Sequence, residues 1–161
     1  MDTYIDVAWT ADQEVPGSRS VLITLQATLV QRMMKQVLMI SLSQQGVAAA
    51  LRVTINGFDG SHRDLLNGNG GSGKFAIPKT IADEHLEALA NITRDWSALK
   101  PKVLDVAERT SVGISDLNQI VVQVSQLTRT MEPAVEIFST KTVLTTKIPV
   151  NLMIPIPLTG R

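Results

Sequence analysis

Residues 18–43 read SRSVLITLQATLVQRMMKQVLMISLS, and this stretch decides the fold. Leu22, Leu25, Leu29, Met33, Val37 and Ile40 recur at steps of three and four, the period of a helix face. A second row, Ile23, Ala27, Val30, Met34 and Leu38, runs beside it. Two adjacent rows make a stripe too broad for one neighbour, so more than one partner is expected to cover it. Arg32 is the first charge after Arg19, and Lys35 follows it. A guanidinium stays protonated at any ordinary pH. Whether Arg32 meets an anion, a carboxylate or backbone carbonyls is therefore the first functional question.

Outward from this helix the pattern repeats. Gly46 offers a turn, and Leu51, Ile55, Phe58, His62 and Leu65 then share one helical face. Gly57 and Gly60 each weaken that helix by roughly 1 kcal/mol relative to alanine. Residues 67–73, Asn-Gly-Asn-Gly-Gly-Ser-Gly, form a loop. Thr80 with Asp83 reads as a capping box for a third helix bearing Leu86, Leu89, Ile92, Trp96, Leu99, Val103 and Val106. Pro101 interrupts that run and predicts a kink or short break near Leu99. Residues 110–115 turn again. A fourth helix sets Leu117, Val121, Val124, Leu127, Met131 and Phe138 inward, with a kink expected at Pro133.

Four helices joined by two short links and one glycine-rich loop specify an all-α fold, an antiparallel four-helix bundle over 18–139. The tails read differently. Residues 1–17 alternate like a strand around Ile5, Val7 and Trp9, and 140–161 carry Pro149, Pro155 and Pro157, which exclude helix. Both are expected to be extended, pairing with each other or with a neighbouring chain.

Composition narrows the function. The 161 residues are 44% hydrophobic and 19% charged, which describes a globular chain. Lys+Arg and Asp+Glu are both 15, so no net field draws it to nucleic acid or an acidic membrane. The absence of cysteine excludes disulfides and thiolate metal sites. No segment approaches the roughly 20 apolar residues of a membrane span, and the first residues do not read as a signal peptide.

Several stretches resemble one family in order along the chain. These are Leu25 to Gln36, centred on Gln31-Arg32-Met33-Met34, then Thr54 to Asp59 with Leu65-Leu66-Asn67-Gly68. Leu89 to Trp96 follows, and then Leu117-Asn118 with Met131 to Glu136. Together, over about residues 20–139, they resemble the N-terminal sensory domain of type IV pili methyl-accepting chemotaxis transducers. The resemblance implies a four-helix bundle and a non-enzymatic sensor acting as a homodimer. Related nitrate and nitrite sensors hold the anion between the first helices of two subunits, through the arginine that corresponds to Arg32. It thus implies a small anion, such as nitrate, on Arg32, with Gln31, Gln36 and Lys35 as flanking ligands. The family glycine three residues before the arginine is Leu29 here, which crowds a close approach of backbone to anion. The family's second arginine is Val37; Lys35 restores a charge but on a different helix face. The family origin implies a periplasmic setting if the chain is excised from a transmembrane receptor, and the chain complete as written implies a cytoplasmic one.

Plainer readings stand beside these. Arg32 snorkels to the surface or pairs with Asp59 or Glu136. The bundle is then a structural or assembly module whose tails dock partners by strand addition. Gly68 to Phe75 imitates a phosphate-binding loop, but Phe75 replaces the required hydroxyl residue and a helix precedes it. Asp59 and His62 make a single Asp-x-x-His step, short of a bundle metal site, so no metal or other cofactor is expected. No nucleophile elbow or acid–base constellation points to an enzyme, so no catalytic residue is assigned. Asn91-Ile92-Thr93 matches a glycosylation sequon in mid-helix.

Overall fold

Four helices carry the chain: α1 (Gly17–Ser41), α2 (Val47–Asn67), α3 (Asp83–Arg109) and α4 (Ile114–Ser139). The computed structural model describes residues 17–70, 77 and 79–139. Residues 1–16 and 140–161, and the part of the glycine-rich loop and phosphate-loop imitation from Gly71 on, lie outside the described residues. α1 packs against α2 and α4, α2 against α3, and α3 against α4, which closes a four-helix bundle. The α1 stripe is therefore covered by two neighbours, as its width required.

The core follows from the helical period. α1 buries Ile23, Leu29, Val30, Met33, Val37 and Ile40, and α2 buries Leu51, Ile55, Phe58 and Leu65. α3 contributes Leu89 through Val106 on its inward face, while Leu86 stays exposed. Two rows shift relative to the sequence pattern. Leu25 is 43% exposed and Leu38 42%, because α1 is apolar on nearly every side and α2 and α4 choose which residues are covered. On α4 Ile120 and Ala134 are buried, whereas Val121 is 40% exposed.

Polar contacts set the axial register. Gln26 on α1, wholly buried, donates from Nε2 to Ser61 Oγ on α2 at 3.3 Å. Ser61 Oγ in turn donates to the Phe58 carbonyl at 3.0 Å. Between α2 and α3, the Trp96 indole N–H donates to Asp59 Oδ1 at 2.8 Å, and Lys100 Nζ lies 2.8 Å from Asp59 Oδ2. Phe58 packs against Trp96 with ring centroids 4.3 Å apart and the rings tilted by 37°. Between α3 and α4, Thr130 Oγ1 donates to Asp95 Oδ2 at 2.5 Å.

The helix ends differ from the expected chemistry. Ala82, not Thr80, is the N-cap of α3, and it makes no side-chain cap bond. The Thr80 hydroxyl is buried and donates to the Leu65 carbonyl at 2.5 Å, so it ties the loop to the end of α2 instead. α3 and α4 run unbroken through Pro101 and Pro133. The carbonyls these prolines leave without a helical donor belong to Ser97 and Arg129, both exposed and able to bond water. α1 ends in a Schellman-type cap: Gln44 N–H bonds Met39 O, Ser43 N–H bonds Ile40 O, and Ser43 adopts φ 59°. Gly46, at φ 80°, then turns the chain into α2.

Candidate functional site

The outward face of α1 has its own period. Val21, Leu25, Thr28, Arg32, Lys35, Met39 and Leu42 alternate at steps of four and three. All are exposed except Met39, which is half-buried. The buried residues Ile23, Gln26, Val30, Met33, Val37 and Ile40 follow the same alternation two positions out of phase. Two positions on a helix are about 200° apart, so the two rows occupy opposite sides of α1.

Arg32 sits at the middle of the outer row. No carboxylate among the described residues pairs with it; Asp59 is occupied by Trp96 and Lys100. Lys35, one turn further on, is likewise exposed and free of an acidic partner among these residues. Leu29 does not reach this face. It is buried toward α2, where its Cδ1 lies 3.7 Å from the point a Cβ on Gly57 would occupy. Leu29 therefore leaves the outer face uncrowded. Val37 is wholly buried in the core, opposite in aim to exposed Lys35.

Arg32, Lys35, Gln31 and Gln36 all line one open groove of about 740 Å³ between α1 and the start of α2. Thr28 and Met39 complete the α1 wall, and Gln45, Gly46, Val47 and Ala50 form the other. Among the described residues lining it, none is acidic. The four candidate residues are thus brought together. The α2 wall was missed, because nothing local in the sequence says which residues the turn at Gly46 carries back beside α1. The spacing of the exposed row was available in the sequence and would have singled out Thr28 and Met39.

Two other ionisable residues have structural partners. His62 is buried; Thr93 Oγ1 donates to Leu89 O and so accepts from His62 Nε2 at 2.7 Å. Burial lowers the His62 pKa from its usual 6.5, although the nearby Asp59 charge pulls it upward. Burial pushes the Asp95 carboxyl up, but the bonds from Thr130 and Arg94 outweigh it and leave the group below its usual range. No cluster of three or more potential metal ligands occurs among the described residues. Asn91 lies within α3, half-buried. No helix among the described residues is long and apolar enough to cross a membrane.

The family model for the type IV pili methyl-accepting chemotaxis transducer N-terminal domain (PilJ) matches residues 26–130, more than half of the chain. The chain belongs to this family. The match begins in α1 before Arg32 and ends in α4, so the transducer domain and the helical bundle coincide over most of their length. No curated protein and no solved structure gives a match.

Proposed function

We propose that this domain is a non-enzymatic sensory module that pairs along the outer face of α1 and takes a small anion, such as nitrate, at the pair of Arg32 side chains. The observation that supports it is the exposed outer row. A strict alternation of four and three is the seam of a two-stranded coiled coil. Its ends, Val21 with Leu25 and Met39 with Leu42, are apolar; its centre holds Thr28, Arg32 and Lys35. Apolar ends favour association, and the like charges at the centre oppose it. Two unit charges 4 Å apart repel by about 1 kcal/mol in water and about 4 kcal/mol at an effective dielectric of 20. An anion between them removes that repulsion and adds charge-assisted hydrogen bonds. It also favours the helix offset that brings the two guanidinium groups closest, which gives binding a mechanical output.

Sedimentation velocity tests this at constant ionic strength, because general screening would also relieve the repulsion. Nitrate is expected to tighten the dimer relative to chloride, and Arg32→Ala is expected to abolish the difference. A chain that ignores nitrate, or an Arg32→Ala variant that responds like the parent, refutes the proposal.

A further inference from the structure

The groove beside Arg32 is far roomier than a four-atom anion needs. Its volume of about 740 Å³ falls within the roughly 300–1,000 Å³ of pockets that hold small organic ligands. Along α1 it extends from Thr28 to Met39, about 16 Å at 1.5 Å per residue. Its character changes along the way. Arg32 and Lys35 supply two cations, Gln36 an amide, and Met39, Val47 and Ala50 an apolar wall. A bare inorganic anion would engage the cations and leave the apolar wall unused.

We infer that the groove takes an elongated organic carboxylate, with a carboxylate on Arg32 and Lys35 and its carbon chain along Val47 and Ala50. The inference rests on Arg32 being an anion site and adds the class of anion.

Calorimetry and thermal melting of the full chain, at constant ionic strength, test this with nitrate, acetate, succinate, malate and adipate. The longer acids are expected to bind about tenfold more tightly than acetate or nitrate, a ratio equivalent to about 1.4 kcal/mol. Ala50→Trp fills the groove from an exposed position on α2, with folding checked by circular dichroism. It should bring succinate and malate down to the level of acetate. Lys35→Gln, which disturbs no core packing, should weaken the same acids. Equal affinity across the series, or longer acids indifferent to both substitutions, overturns the inference. A response to nitrate with no gain for longer acids sinks this inference alone; silence toward every anion sinks the Arg32 anion site with it.

Discussion

Replacing Asp59 by alanine is expected to cost up to about 3 kcal/mol, most of it through Trp96. Asp59 accepts the indole N–H at 2.8 Å from Trp96, which is only 4% exposed; the carboxylate is 34% exposed, so a water entering its place recovers part of the loss and about 3 kcal/mol is the upper end. A hydrogen bond to a charged group contributes about 1.5–3 kcal/mol, and leaving a buried donor unpaired costs about 1–3 kcal/mol; these overlap and are not summed. The Lys100 arm is half-exposed on both sides and adds no more than about 1 kcal/mol. A double-mutant cycle separates the two. In the Trp96→Phe background there is no indole N–H to orphan, so Asp59→Ala should cost under about 1 kcal/mol, a coupling of about 2 kcal/mol. Asp59→Asn keeps an acceptor oxygen and should fall between. Far-UV circular dichroism during urea or thermal unfolding reads all five proteins without relying on tryptophan emission. For a bundle of this size the single change lowers Tm by up to roughly 10 °C. If Asp59→Ala costs the same with and without the indole N–H, the bond does not hold α2 to α3 and the argument fails.

Three further outcomes follow from local geometry. Gly60→Ala should stabilise by about 0.5–1 kcal/mol in chemical unfolding, because the new methyl meets nothing within 4 Å and helix propensity improves; a loss would show a contact the helix geometry does not contain. Thr110, a β-branched residue held at φ 54°, should gain about 1 kcal/mol as Thr110→Gly, since glycine adopts that backbone without strain. His62 has a folded pKa below its unfolded 6.5, so the unfolded chain binds the proton more readily. Its contribution to stability is complete above pH 6.5 and is lost as pH falls toward the folded value. His62→Gln should flatten that part of the stability–pH curve, and an unchanged slope would assign it to other groups.

Much of the bundle was legible because α2 and α3 are amphipathic. Leu51, Ile55, Phe58, His62 and Leu65 face inward just as their spacing indicates. α1 was harder, since its apolar residues surround it and period alone cannot tell Leu25, which faces water, from Leu29, which does not. Thr80 with Asp83 has the letters of a capping box, but the threonine hydroxyl finds the Leu65 carbonyl, a partner fifteen positions away that no local pattern encodes. The same limit applies to the groove. Arg32, Lys35, Gln31 and Gln36 could be picked from one helix, while Val47 and Ala50 enter only through the turn that folds α2 back.

The buried Gln26–Ser61 pair has a mechanical consequence. Were α1 to slide along α2 by one helical turn, the amide would face Phe58 or Leu65 and lose its only hydrogen bond inside an apolar interior. Sliding within the hairpin is thus penalised at both ends of the stroke. A displacement of the first helix along its axis is therefore favoured to carry the second helix with it.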